Sequence, residues 1–509
     1  MRITNSAPSV RSVRGVSPRT LLVASSCLAL VLTACGSQLE PDEVVGVAGT
    51  TTSDGQGGLT GPDGLVAGGD LTDGGVIDPG TGAVDAGTVT TDPGGSSAAG
   101  GTDTGGGGGG GTSGGGGGGA VGGAKAASCD GFKNQVGITD KEIVIGNAAD
   151  ISGPVPGLFE ASQDALKAFV AYFNATDDIC GRKLRLVSYD GRTDASADQQ
   201  VYTKACTEVF AMVGSMGAFD SGGAPVAEKC GLPDYRSAPV TNERNACKTC
   251  FGAQSVKTGE HQNAVADFIL KNFGDAGQHA GALYINAGSA AQNGPPQADA
   301  MEQRGMHFDV VRGIDISEFN YAPYVQQLKD EKVEVVFWTG AFQQSVKLRQ
   351  AMEQQGYTPK VYMRDPTDYH PDYVSSGGSA VDGTYIFTNF TPFEEANRNR
   401  ELATYMNWLQ QVRPGAPPTF FGVFSWSAAL LFVKNAKALG GKLTRASLVE
   451  AARNTGKWTG NGMHSPQNVG IKRTGDCWRF LQLKSGRWVP VGGTKYLCTG
   501  TTIGDPAGP

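Results

Sequence analysis

Glu142-Ile143-Val144-Ile145-Gly146-Asn147-Ala148 is an apolar, β-branched run. It gives way to Phe159–Asn174, where Leu166, Phe169, Val170 and Phe173 recur at helical spacing. The first run is apolar on both sides of its pleat, as expected of a strand buried on two faces. Lys183–Tyr189 follows, with Leu184 and Leu186 on one face and Arg185 on the other, and Ala195–Glu208 reads as a helix. Val209–Gly214, Ser221–Cys230 and Asp234–Ala238 continue as strand, helix, strand. Repeated βαβ units of this length require a parallel sheet with helices on both faces.

The pattern restarts downstream. Gln262–Phe273 is helical, with Val265, Phe268 and Ile269 on one face and Gly274 as a stop. Gly281–Ile285, Phe308–Arg312, Val333–Trp338 and Lys360–Met363 read as strands, separated by helices at Gln297–Arg304, Tyr321–Asp330 and Gln344–Gln355. After a strand at Thr384–Thr388, helices are expected near Arg398–Val412, Phe424–Leu439 and Arg445–Asn454. Gly440-Gly441 ends one of them and Thr444 caps the next. Cys477–Leu483 and Arg487–Val491 flank Lys484-Ser485-Gly486 as a hairpin. The fold class is therefore α/β, two doubly wound parallel-sheet lobes, and ligands of such sheets bind beyond the carboxyl ends of the strands.

Upstream of Phe132 the chain has no aromatic residue. Arg2, Arg11, Arg14 and Arg19 precede a 12-residue apolar stretch, Leu21–Leu32, too short to span a bilayer and suited to a signal peptide. Leu32-Thr33-Ala34-Cys35 reads as a lipobox, so residues 1–34 are expected to be cleaved and Cys35 to be lipidated. Residues 35–126, with Gly105–Gly111 and Gly114–Gly119, have too little apolar surface to form a core and are expected to act as a disordered tether. Eleven acidic residues lie between Glu40 and Asp103 against Lys125 alone, so most of the net charge of −7 belongs to this segment. The nearly neutral remainder gives no electrostatic case for nucleic acid.

Eight cysteines remain in the folded part, an even number that suits disulfides in an exported protein. Cys206 and Cys230 stand at matching offsets before consecutive strands, close enough for a bridge if those strands are parallel neighbours. Cys477 and Cys498 flank the hairpin, and Cys247-Lys248-Thr249-Cys250 reads as a local disulfide. Cys129 and Cys180 pair by elimination. No catalytic set is evident: Ser215 lacks the first glycine of a nucleophile elbow, and the five histidines show no metal spacing. Neither a metal nor a cofactor is expected.

Ile145-Gly146…Ile151-Ser152-Gly153-Pro154 resembles the first strand and loop of branched-chain amino-acid-type solute-binding proteins of ABC transporters. Val187-Ser188-Tyr189-Asp190 with Asp194, Met212-Val213-Gly214 and Ser237-Ala238-Pro239-Val240-Thr241-Asn242 are similar to that family's next three strand ends. Phe424-Ser425-Trp426-Ser427-Ala428-Ala429 resembles its C-terminal helical region. The resemblance implies a type I periplasmic-binding fold joined by three crossovers, with an N-lobe of residues 127–253 and 384–474 and a C-lobe of 254–383 and 475–509. It implies a small-molecule ligand, an ABC permease as partner and a lipid anchor at the outer face of the cytoplasmic membrane. A ligand-sensing domain on the same fold, and an envelope hydrolase, stand as alternatives.

Carried over from the resemblance, the ligand-holding positions are Ser152, Phe159, Ala218, Phe219, Thr241 and Asn242 in one lobe and Asn293, Phe342 and Asp365 in the other. The family pattern offers a serine near Ala218 and tyrosines near Asn293 and Phe342, and the sequence departs from all three. Backbone N–H groups at Ala218 and Phe219 are candidates for holding a ligand carboxylate. Asp365 is expected to face a ligand ammonium with Thr241 opposite, Arg364 and Asp368 being neighbouring alternatives.

Overall fold

The computed structural model describes residues 126–509. The expected signal peptide, Cys35 and the Gly-rich linker lie outside the described residues.

The first lobe comprises β1 (Glu142–Ala149), α1 (Glu160–Thr176), β2 (Lys183–Asp190), α2 (Ala195–Glu208), β3 (Ala211–Val213), α3 (Ala224–Cys230), β4 (Asp234–Arg236), α4 (Asn242–Ala246) and β5 (Cys250–Gly252). Its strands run parallel in the order β2-β1-β3-β4-β5. β1 explains its own apolar run. Ile143 and Ile145 enter the core beneath one face, while Val144 and Ala148 enter the core beneath the other.

The second lobe continues with β6 (Glu260–Gln262), α5 (Asn263–Phe273), β7 (Ala280–Ile285), α6 (Gly288–Glu302), β8 (Phe308–Ile314), α7 (Ala322–Asp330), β9 (Val335–Thr339), α8 (Phe342–Gln354), β10 (Val361–Arg364), α9 (Pro371–Gly377) and β11 (Tyr385–Thr388). The chain then returns to the first lobe as α10 (Arg400–Val412), α11 (Phe420–Leu439) and α12 (Arg445–Arg453). There the ring of Trp426 meets Phe169 edge-on at 5.0 Å. A ribbon of β12 (Lys457–Trp458) and β13 (Gln467–Asn468) leads to β14 (Cys477–Lys484), β15 (Arg487–Val491), β16 (Leu497–Cys498) and β17 (Thr501–Ile503).

The second sheet has the order β15-β14-β11-β10-β9-β7-β8. Within it β8-β7-β9-β10-β11 repeats the strand order of the first lobe, and β14 joins β11 antiparallel. Ser485 and Gly486 both adopt positive φ between β14 and β15, as a tight two-residue hairpin loop requires.

Two expectations need correction. Residues 384–388 were assigned to the N-lobe, but Tyr385–Thr388 pairs with β10 and β14 in the second sheet, so the crossover follows Thr388. A helix was expected from Gln297 to Arg304; α6 begins at Gly288 and runs through Pro295 and Pro296. Packing overrides propensity here. Gly294 brings this turn against the Tyr284 ring so closely that a Cβ would lie 2.6 Å from it.

Four disulfides form: Cys129–Cys180, Cys206–Cys230, Cys247–Cys250 and Cys477–Cys498. The connecting segments between the lobes lie side by side. Ser255 N–H donates to Gln467 Oε1 at 3.1 Å, Asn468 N–H to Ser255 Oγ at 2.8 Å, and Ser465 N–H to the Asn389 carbonyl at 2.7 Å.

Candidate functional site: the cleft between the lobes

In a parallel sheet of order 2-1-3-4-5, the loops leaving strands 1 and 3 diverge to opposite faces and open a crevice at their carboxyl ends. Both lobes have this order and their crevices face each other. Between them lies a cleft of about 250 Å³. One wall holds Leu158 and Phe159 after β1, Thr193 after β2, Met216, Ala218 and Phe219 after β3, Val240 after β4, and Phe420 and Phe421 at the start of α11. The other holds Ile285 and Ala287 after β7, Asn293 and Gln297 on α6, Trp338 and Thr339 on β9, Asp365 after β10, and Trp478 on β14. Phe159 meets Phe421 edge-to-face at 4.7 Å, which fixes both rings. The lining is mainly apolar and aromatic. Among the described residues that line it there is no Lys or Arg, and Asp365 is the carboxylate present.

The lobes meet at the rim of the cleft through the first turns of α6. Ser289 N–H donates to the Ala218 carbonyl at 2.8 Å, Asn293 Nδ2 to the Val240 carbonyl at 3.1 Å, and Asn242 N–H to Gln292 Oε1 at 2.7 Å. Gly288, at φ +53°, lets this approach happen: a Cβ there would lie 2.7 Å from the Ala218 carbonyl oxygen.

Of the nine positions expected from sequence, Phe159, Ala218, Phe219, Asn293 and Asp365 line the cleft and Ser152, Thr241, Asn242 and Phe342 do not. Ser152 donates its hydroxyl to Asp190 Oδ2 at 2.6 Å at the exposed rim. Three backbone N–H groups, of Ile151, Ser152 and Arg192, converge on the other Asp190 oxygen, and these bonds hold its carboxyl below the usual range despite the opposing effect of burial. Thr241 is buried; its hydroxyl caps α4 and donates to Asp220 Oδ1 at 2.6 Å, so it does not oppose Asp365 across the cleft. Asn242 reaches the other lobe through its backbone alone. Phe342 stacks on His370 at 4.8 Å behind the wall.

Asp365 Oδ1 accepts from Thr367 N–H at 2.8 Å, and Oδ2 has no hydrogen bond within the protein. Arg364 is fully buried, donating to Asp368 and to the Trp338 and Gly340 carbonyls, with one guanidinium nitrogen 3.8 Å from Asp365 Oδ1. Asp368 is buried against it and against Ser345. Neither neighbour competes with Asp365 for the cleft.

Sequence reasoning missed Asp150. It follows β1 at the crevice between β1 and β3, 3% exposed. Its Oδ2 accepts from Ala218 N–H at 2.8 Å and its Oδ1 from Thr193 N–H at 3.2 Å. Burial raises its pKa to about 6, with the two N–H bonds opposing. The N–H of Ala218 is thus committed to an internal carboxylate. The aromatic pair Phe420-Phe421 was missed too. Its signal was Thr419, whose side chain caps α11 and marks a start earlier than Phe424. His261, also on the lining, is held neutral by burial with a pKa of about 4, and its Nε2 has no partner.

Nothing else here resembles a catalytic or metal centre. Ser427 lies 2.7 Å from His464 Nε2, but both are buried beyond reach of a substrate. Among the described residues, no cluster of His, Cys, Asp and Glu is arranged to hold a metal, and no helix is long and apolar enough to cross a membrane.

A family model described as periplasmic binding protein matches residues 142–487. The chain belongs to the periplasmic binding protein family. No curated protein matches it in sequence. Among solved structures, this periplasmic binding protein is similar to a leucine-binding protein from Thermotoga maritima, at 15% identity over 69% of this chain and 98% of that one, with a TM-score of 0.60. It is similar to a fatty acid ABC transporter substrate-binding protein from Thermomonospora curvata, at 19% identity over 74% and 97%, with a TM-score of 0.61. A third is an ABC transporter solute-binding protein from R. palustris in complex with 4-hydroxybenzoate, at 16% identity over 72% and 98%, with a TM-score of 0.57. All three are binding proteins by name, and the type I fold implied by the sequence motifs is the fold found.

Proposed function

We propose that this protein is a lipid-anchored, extracytoplasmic solute-binding protein that captures a small organic ligand, an amino acid or related amine, and delivers it to an ABC permease. The observation that carries the reading is the cleft itself: two opposed crevices of the same strand order, walled by aromatic residues, with one carboxylate oxygen, Asp365 Oδ2, left without a protein partner. An ammonium group there would gain a charge-assisted hydrogen bond. The ligands of the structural relatives differ in chemistry, so the ligand class follows from this chain's own lining.

The anchor rests on Leu32-Thr33-Ala34-Cys35. Replacing Cys35 by Ser is expected to move the protein from the membrane fraction to the soluble extracytoplasmic fraction. Retention of the Cys35→Ser protein in membranes contradicts the anchor. Delivery is tested by chemical cross-linking of the ligand-loaded protein in intact cells: a cross-link to an ABC permease supports transport, and one to a sensor kinase contradicts it.

A further inference from the structure

We infer that the ligand of this cleft carries no carboxylate: it is an organic amine with an apolar body. The inference rests on the solute-capture reading and narrows it.

A ligand carboxylate needs a cation or converging N–H donors. The first-lobe crevice between β1 and β3 is where a sheet of this order presents such donors. In this chain the place is taken. The Asp150 carboxylate receives the N–H groups of both Ala218 and Thr193, two residues that line the cleft. Gly191 packs against it closely: a Cβ there would lie 2.6 Å from Asp150 Oδ1. A second carboxylate brought to Ala218 would find its donor engaged and a like charge behind it. Burial lifts the Asp150 pKa to about 6, so at pH 7.5 the carboxylate is mainly ionised.

The rest of the wall supplies no cation, its remaining donors being neutral groups such as the Gln254, Gln262 and Gln297 amides. Lys and Arg are missing from the described lining residues. His261 is neutral. Asn293, a position that the family resemblance marks for the ligand, commits its Nδ2 to the Val240 and Ser289 carbonyls. What remains suits a cation: Asp365 Oδ2 without a hydrogen bond, and the lining aromatic residues Phe420 and Phe421, whose rings attract positive charge as well as apolar surface.

The test is calorimetry at pH 7.5 on the exported chain, with three apolar bodies (phenyl, indolyl, hexyl), each presented as amine, α-amino acid, carboxylic acid and alcohol. The amine of at least one body is expected to bind ten or more times tighter than the amino acid, acid and alcohol of that body. An amino acid or acid binding as tightly as its amine overturns the inference and leaves solute capture standing. An alcohol binding as tightly as its amine overturns the ammonium assignment. A panel in which nothing binds overturns both readings. As an independent arm, Asp150→Ala frees the Ala218 and Thr193 N–H groups, and the preference for amine over amino acid is expected to fall at least tenfold. Asp150→Ser serves the same purpose if the alanine variant does not fold. An unchanged preference in a folded variant overturns the role given to Asp150.

Discussion

His464 sits 2% exposed between the Ser427 hydroxyl and the Ser465 carbonyl, and burial lowers its pKa from 6.5 to about 4. His261 is lowered to about 4 in the same way. A histidine whose pKa is depressed on folding contributes stability that is present above about 6.5 and lost as pH falls towards 4, on the order of 3 kcal/mol for a shift of this size. Asp150 acts in the opposite sense. Its raised pKa gives stability that is full below 3.8 and lost as pH rises through about 6. The two histidines are expected to make the melting temperature fall between pH 6.5 and 4.5, against an opposite contribution from Asp150, Asp198 and Asp368, whose pKa values burial raises. His464→Gln should shrink that fall, and an undiminished fall in the variant would count against the assignment. At Thr241 the prediction separates structure from binding: Thr241→Ala removes the α4 cap and a donor to buried Asp220, costing about 1–3 kcal/mol of stability. Ligand affinity should be unchanged by calorimetry. Thr241 as a turn residue is legible in the sequence. Asp150 is not, because nothing local indicates a carboxylate turning inward to take an N–H from 68 residues away.

The first turns of α6 form a contact between the lobes at the rim of the cleft, and Gly288 sets how close they come there. Gly288→Ala is expected to push the Ala218 carbonyl away and hold the lobes further apart. Ligand affinity should fall, and small-angle scattering of the ligand-free chain should show a larger radius of gyration. Gly378→Ala is the control: its φ of +54° imposes the same backbone strain with no atom within 4 Å of the added Cβ. Equal behaviour of the two variants would show strain alone, with no closing contact at Gly288. β1 was legible because burial on both faces writes a continuous apolar run. The start of α6 was hidden because Pro295-Pro296 reads as a break, and only packing against Tyr284 carries the helix through it.

Across the whole molecule, period and order in the sequence reveal two α/β lobes, since each βαβ unit announces its own strand and helix. The boundary at residue 384 was misplaced because β11 belongs to a sheet completed by β14, almost a hundred residues later, and no local pattern marks that pairing. The chemistry of the cleft was only half legible. Phe159, Ala218, Phe219, Asn293 and Asp365 reach it because strand ends must, while Thr241 and Phe342 leave it because capping and ring stacking claim them. The central claim, a ligand held between the lobes and facing Asp365, is tested most directly by calorimetry on Asp365→Ala with the tightest-binding amine of the matched panel. Loss of a charge-assisted hydrogen bond of about 1.5–3 kcal/mol predicts affinity weakened ten- to a hundredfold, with the melting temperature of the free protein little changed. Affinity equal to wild type in a folded Asp365→Ala protein would place the ligand elsewhere and contradict the account.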